Sequence, residues 1–367
     1  MAMSTINVLW NKQTNLFSVF MLNVLLIGAL DFSNVPKAGD AIKNRLLLDW
    51  FQRNFKKVDY VDTQKWRKNP FILLKLFLRL LFTRIDNIIV SASNESAYRI
   101  IRILAKLNKK GSKVYYFMIG GYTPIKIKQG VFKAEPFKKL DKIVVEADKV
   151  KDFYAEVGLC NTYRVYNFKS TKYEADISQP HKGKIKFVFL SRLTELKGIF
   201  HILESVRTLN AEGLQDAFQV DFYGSFDNGI KDRFNNEIEA VPNADYKGFL
   251  DLKIDSNYDV LASYDAMLFP TMHPTEGFPG VIADAAIAGV PVIAANWNYA
   301  KELVEDCGCG FVFPVGDNKA LTDWMRFAIN NREKLQDMRQ DCISRAAIYR
   351  TDNVLTSQLI DDLEMKR

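Results

Sequence analysis

Cysteine is scarce in this chain: its 367 residues hold four, Cys160, Cys307, Cys309 and Cys342. Their spacing suits neither a disulfide framework nor a zinc knuckle, which points to a reducing, cytoplasmic setting. Cys307-Gly308-Cys309 reads either as a redox pair or as small buried residues flanking a turn. Long apolar runs are missing as well, since nothing sustains the roughly 18 consecutive apolar residues that a membrane-spanning helix needs. The first twenty residues, MAMSTINVLWNKQTNLFSVF, have no basic leading stretch, compact apolar core or small-residue cleavage site, so they read as an extension rather than a secretory signal. No recognisable nucleic-acid-binding module accompanies the basic charge, which argues against a nucleic-acid partner.

What is present is enough apolar material for sizeable cores, 48% of residues, and a length that fits two domains better than one. The net charge of +7 hides an asymmetry, with 30 Lys and Arg against 15 Asp and Glu in residues 1–180, and 20 against 28 in residues 181–367. The two halves therefore suit different partners. Short β-branched runs alternate with longer segments of helical period, the pattern of parallel sheets with crossover helices. Strands are expected at 22–28, 86–92, 113–120 and 142–147, then at 184–191, 218–224, 265–270 and 290–295. Helices are expected near 38–54, 64–83, 94–109, 197–211, 228–239, 280–288 and 317–346. Between the two sets, residues 168–184 are polar, carry Pro180 and Gly183, and show neither period. The resulting division is an extension (1–20), a first Rossmann-like domain (21–170), a linker (171–183), a second Rossmann-like domain (184–350) and a terminal helix from 351. Two such domains on one linker are expected to face each other across a cleft, where ligands of open parallel sheets gather.

Two stretches of the second half carry chemistry. In SRLTELKGIFHILES (191–205), Arg192 and Lys197 bracket a strand-to-helix turn, so two cations and a helix start make a site for a diphosphate, against the plainer reading of a solvated loop. In TMHPTEGFPG (271–280), two glycines let backbone amides approach a ligand, and Glu276 sits in the turn. Asp284 follows inside an otherwise small and apolar helix. An unpaired buried carboxylate is costly. It therefore needs a partner, either a sugar hydroxyl pair or a neighbouring Lys or Arg.

R-x4-K-G, followed by E-G-F-x-G-x3-[ED]-A and then G-V-P-V-I-A, resembles the retaining glycosyltransferase family 4 of the GT-B fold, which builds bacterial polysaccharides and lipopolysaccharides. The resemblance is specific over 184–345 and loose over the first half. It implies that Arg192 and Lys197 neutralise a donor diphosphate, that Glu276 holds donor hexose hydroxyls, and that the turn formed by Phe278, Pro279, Gly280 and Val281 offers amides to phosphate or sugar. Asp284 stands in place of the second glutamate of the family's E-x7-E pattern, which binds the nucleotide ribose, and is one methylene shorter. Tyr223, Gly224, Lys247, Gly248 and Phe249, at the ends of the next two strands, are candidates for the nucleotide base. In the first half, Ala38-Gly39-Asp40 stands where relatives have a glycine loop, so Gly39 is a donor-side candidate or a plain turn residue. Gly120 and Gly121, at a strand end, are acceptor-side candidates. Many relatives have a histidine in the catalytic region of this domain. This chain has only His181, His201 and His273, so that role does not transfer, and His273 is instead a candidate to line the pocket near Glu276.

One further stretch, WRKNPFILLKLFLRLLFTR (66–84), places Lys75 and Arg79 on one helical face and apolar residues over nearly all the rest. It reads as a monotopic contact with anionic lipid through Phe77, Leu81 and Phe82, or as a buried helix, or as a dimer interface. The resulting expectation is a hexosyltransferase that moves a sugar from a nucleoside-diphosphate donor, a UDP-sugar by preference, to a hydroxyl of a glycan on a polyprenyl diphosphate. It would work with retention, in the cytoplasm or at the inner-membrane surface. No D-x-D element lies near the donor stretches, so neither an obligatory divalent ion nor another cofactor is expected. The alternatives are a nucleotide-sugar 2-epimerase and a non-catalytic nucleotide-sugar-binding subunit.

Overall fold

A computed structural model describes residues 21–32, 39–64, 66, 69, 71–108, 111–227 and 229–367. The extension 1–20 and Ala38 lie outside them. The chain divides into two compact units. The first takes in the chain up to Glu146, Lys151–Val165 and Leu355–Arg367; the second takes in Ala147–Val150 and Tyr166–Val354.

The sheet of the first unit is built from β1 (Met21–Gly28), β2 (Val58–Asp62), β3 (Arg84–Ser91), β4 (Lys113–Phe117), β5 (Lys142–Val145) and β6 (Thr162–Arg164). All pairings are parallel, in the order β2-β1-β3-β4-β5-β6. A parallel strand must be covered on both faces by its crossover segments, which is why 24–27 of β1 and 88–90 of β3 are apolar runs rather than alternation. Val24, Leu25, Leu26 and Ile27 are all fully buried. Gly28 ends β1 because there is no room for more, as a Cβ there would lie 2.4 Å from the Ser91 carbonyl. Strands β2 and β6 were not expected from the sequence. They are short edge strands with mixed polarity, VDYVD and TYR, and give little periodic signal.

The second unit has β7 (Ile185–Leu190), β8 (Phe218–Tyr223), β9 (Ala244–Gly248), β10 (Ala266–Phe269), β11 (Val292–Ala295) and β12 (Gly310–Phe313), again all parallel, in the order β12-β11-β10-β7-β8-β9. The chain builds outward from β7 through β8 to β9, then returns to β10 on the other side of β7. That reversal is a topological switch point between β7 and β10, where the following loops diverge and leave room for a ligand. Phe187, Phe189, Ile202, Leu203, Phe218 and Leu268 form the middle of the core beneath it.

Several boundaries differ from expectation for identifiable reasons. Residues 171–183 are not a free linker but part of the second unit: Arg350 donates to the carbonyls of Thr171 (3.1 Å) and Tyr173 (2.5 Å), and Tyr173 stacks on Tyr258 with ring centroids 5.2 Å apart. Polar side chains reaching backbone carbonyls leave no periodic trace in a sequence. The helix expected over 64–83 runs only over Phe71–Phe82, and the long helix expected over 317–346 is two, Asn318–Asn330 and Arg332–Ala346. The chain rejoins the first unit at Leu355, where Asn87 exchanges hydrogen bonds with the backbone of Lys366, at 2.7 and 2.9 Å. No helix among the described residues is long and apolar enough to cross a membrane.

Candidate functional site

The loop after β7 runs from Ser191 to a short 3-10 turn, Glu195–Lys197, and into the helix Ile199–Ala211. Gly198 makes the junction at φ +76°, and a Cβ there would lie 2.3 Å from the Pro270 carbonyl, so only glycine lets this loop press against the end of β10. A backbone hydrogen bond from Met272 N to Leu196 O, 2.7 Å, stitches the two loops together. The loop after β8 is tied in similarly. Leu193 N donates to Ser225 O at 2.9 Å, and Gly224, with φ +146°, would put a Cβ 1.8 Å from the Ser191 carbonyl.

This stitching brings Lys197 and Glu276 together from positions 79 residues apart. The Lys197 ammonium donates to Glu276 Oε2 and lies 5.1 Å from the centroid of the Phe269 ring. Thr271 Oγ1 donates to the same carboxylate oxygen at 3.0 Å. Both charged side chains are largely buried, at 10% and 13% exposure. A lone ion at such depth would cost several kcal/mol, whereas the pair with its extra hydroxyl is tolerated. Arg192, by contrast, is exposed and has no hydrogen-bond or ion-pair partner among the described residues. The site thus combines a matched buried pair with one open cation.

The turn from His273 to Gly280 is held by its carbonyls. Asn298 Nδ2 donates to Glu276 O (2.9 Å), Trp297 Nε1 to Gly277 O (3.0 Å) and Asn167 Nδ2 to Phe278 O (2.9 Å). In a trans peptide the N–H points opposite to the C=O. Pinning the Glu276 and Gly277 carbonyls to the scaffold therefore turns the Gly277 and Phe278 amides the other way, which is the arrangement a close-approaching anion or hydroxyl needs. The Phe278 ring is buried and meets Tyr349 edge-on at 5.2 Å, so it anchors the turn. Pro279 precedes the helix Gly280–Ile287, and Val281 stands half-buried in its first turn. His273 stays in the turn: its Nδ1 lies 3.1 Å from Thr275 Oγ1, and its carbonyl accepts from Glu276 N at 3.1 Å.

Asp284 lies inside that helix with its side chain 4% exposed. Its Oδ1 accepts from the Tyr258 hydroxyl at 2.6 Å and its Oδ2 from Lys169 Nζ at 2.5 Å. Burial, reinforced by the Asp284 carboxylate, pushes the Tyr258 hydroxyl far above its usual range, so it remains a donor. The acid thus has a neighbouring lysine, one of the two partners its position calls for.

The base candidates separate into two kinds. Tyr223 is buried, and its hydroxyl lies 3.1 Å from that of Tyr264, which in turn donates to Asp221 Oδ2 at 2.6 Å, so this aromatic belongs to an internal network. Gly224 serves the backbone contact already described. Lys247 pairs with Asp245 at 2.9 Å, Gly248 turns the chain at φ +84°, and Phe249 is 65% exposed. In the first unit, Gly39 opens the helix Gly39–Asn54, and Gly120 (φ +80°) and Gly121 follow β4. Cys307 and Cys309 are free thiols rather than a disulfide. Lys169, Tyr258, Trp297 and Asn298 carry no sequence signal of their own, because each reaches the site from outside the two motif stretches.

Comparison with known proteins adds three findings. The family model described as glycosyl transferases group 1 matches residues 171–346. WcaL of Salmonella typhimurium, named as a colanic acid biosynthesis glycosyltransferase, is 26% identical over 186 residues, covering 44% of this chain and 43% of that protein. The amylovoran biosynthesis glycosyltransferase AmsK of Erwinia amylovora is 25% identical over 145 residues, covering 37% and 34%. The chain thus aligns with less than half the length of these relatives. Among solved structures, Anabaena HepE in complex with UDP superimposes with a TM-score of 0.70 at 15% identity, covering 94% of this chain and 100% of that one. Sucrose-phosphate synthase from Thermosynechococcus elongatus does so with a TM-score of 0.73 at 12% identity, covering 94% and 99%. The two parallel six-stranded sheets are those of a GT-B fold.

Proposed function

We propose that this protein is a glycosyltransferase of polysaccharide assembly, transferring a hexose from a nucleoside-diphosphate sugar to a hydroxyl of a glycan carried on a polyprenyl diphosphate, with retention of configuration. The observation that carries the reading is the Lys197–Glu276 pair at the β7/β10 switch point, beside a turn whose amides face away from the scaffold. The family match over residues 171–346 covers these elements, and the HepE complexes with UDP and UDP-glucose favour a uridine donor.

Catalysis on this reading is electrostatic. As the bond from sugar to phosphate breaks, negative charge grows on the leaving diphosphate, and on this reading Arg192, Lys197 and the amides of the turn would receive it. Glu276, fixed by Lys197 and Thr271, offers its carboxylate to hexose hydroxyls and orients the ring. Asp284 stands near the nucleotide ribose, Phe249 offers an exposed ring to the base, and no divalent ion is required. Gly120 and Gly121, after β4 in the first unit, would contact the acceptor, and Gly39, at its first helix, remains a donor-side candidate. The helix Phe71–Phe82 of that unit would rest on an anionic membrane that presents the lipid-linked acceptor.

A thermal-shift panel of UDP, GDP, dTDP and CDP tests the donor site. At about a hundred times its Kd, the right nucleotide adds roughly 2.7 kcal/mol to wild-type stability, and the Arg192→Ala/Lys197→Ala variant loses the shift. A panel in which none of the four moves the wild-type melting point overturns the reading.

A further inference from the structure

Lys169 occupies a position that its neighbours make unusual. Its backbone is fixed: the amide donates to Tyr349 O at 2.7 Å and the carbonyl accepts from Thr351 N at 2.9 Å. Asn167, two residues earlier, holds the Phe278 carbonyl. From that root the side chain runs across the start of the helix Gly280–Ile287. A Cβ on residue 280 would come within 3.0 Å of Lys169 Nζ and 3.2 Å of its Cε. The ammonium then reaches Asp284 Oδ2 at 2.5 Å. Asp284 is sealed at 4% exposure, but the lysine side chain remains 27% exposed. An ammonium has three N–H donors. One satisfies the buried carboxylate, which leaves donors for a ligand on the open side, next to the turn proposed above to face the donor phosphates.

We propose that Lys169 is a third cation of the donor site: a phosphate-binding residue that keeps Asp284 paired while giving a charge-assisted hydrogen bond to the donor diphosphate beside Gly280. This rests on the donor-site reading and adds to it a residue outside both sequence motifs. The chemistry explains two features together. Glycine at 280 leaves the lysine its path. Aspartate rather than glutamate at 284 leaves space for an ammonium between carboxylate and ligand. The segment 166–171 lies in the second unit, where its backbone pairing with Tyr349 and Thr351 holds this side chain in place. Phosphate recognition by a lysine depends on charge and not on the base, so its contribution should grow with the number of phosphates.

The test is titration calorimetry of UDP, UMP and uridine against wild type, Lys169→Gln and Lys169→Arg, with melting points as the folding control. Lys169→Gln is expected to weaken UDP about tenfold or more, equivalent to roughly 1.4 kcal/mol, to weaken UMP less and to leave uridine unchanged. Lys169→Arg should recover most of the UDP affinity, and the UDP affinity of Lys169→Gln should depend less steeply on salt. Should Lys169→Gln fail to fold because Asp284 is left unpaired, Lys169→Gln/Asp284→Asn removes both charges: any loss at the ribose is then shared by all three ligands, and UDP affinity is expected to fall about tenfold further than uridine affinity. Unchanged UDP affinity in a folded variant, or equal losses for all three ligands, overturns the proposal, the second result marking Lys169 as structural. If wild type binds UDP and the Arg192→Ala/Lys197→Ala variant does not, such a result leaves the donor site standing. If wild type binds no UDP, both fall together.

Discussion

Glu276 and Lys197 are held as a buried pair, and each is the reason the other can be there. Glu276→Ala should therefore cost stability as well as donor binding, about 3 kcal/mol by urea denaturation, because it strands an ammonium at depth. The double variant Glu276→Ala/Lys197→Met should recover much of that loss without recovering donor binding, which separates the energetic role of the pair from its chemical one. The cysteines give a second test. The Cys307 thiol is pushed far up by hydrogen bonding with Cys309 and by burial. For Cys309, the bond with Cys307 pulls the other way, but the Cys342 thiol and burial outweigh it and the net shift is upward. Alkylation needs the thiolate. At pH 8, well below both raised values, these thiols are protonated, so iodoacetamide should label the exposed Cys160 in the native protein and reach Cys307 and Cys309 only after unfolding. Rapid native labelling of Cys307 detected by mass spectrometry would contradict this.

Among elements, the helix Phe71–Phe82 is the most unusual, since only Leu76 and Leu80 are buried. Phe71 and Phe82 are 73% and 69% exposed, and the helix borders an open groove of about 670 Å³ lined by Leu22, Leu74, Lys75 and Leu78 among others. Arg79 is paired with Asp59. Of the two basic residues on this face, Lys75 is the one expected to meet anionic headgroups. Replacing Phe77, Leu81 and Phe82 with serine or glutamine should leave the melting point within a few degrees, as these side chains contribute little to the core. It should abolish sedimentation with vesicles containing phosphatidylglycerol. Sedimentation that persists in the folded variant removes the membrane from the proposal. The loop between β7 and its helix makes the opposite demand. Gly198→Ala puts a methyl into the Pro270 carbonyl in a conformation that disfavours any side chain. It should cost about 2 kcal/mol or more and lower UDP affinity by separating Lys197 from Glu276.

In the whole molecule, the last segment completes the first unit. Leu359, Ile360, Leu363 and Met365 are buried there, and Asn87, itself fully buried, depends on the Lys366 backbone. Ending the chain after Val354 should lower the calorimetric transition of the first unit strongly, by at least about 3 kcal/mol from the lost apolar burial and the stranded amide. The transition of the second unit should move much less. A single unshifted transition would show that the terminal helix is dispensable.

The alternation of apolar runs with helical periods was enough to call for two parallel α/β sheets, because strands covered on both faces are largely apolar along their length. The two motif stretches were equally visible, since glycine, proline and charge at a strand-to-helix turn are local requirements met by adjacent residues. The edge strands β2 and β6 were not visible, because an edge needs little apolar character. Nor were the partners of the motifs. Nothing near Asp284 in the chain indicates Lys169, 115 residues away, and nothing near Glu276 indicates that Asn298 and Trp297 hold its turn. Local chemistry set which residues could bind a diphosphate sugar. The meeting of β7 and β10 at the switch point, a long-range pairing that no window of sequence contains, decided which of them stand together and which are occupied by the protein itself.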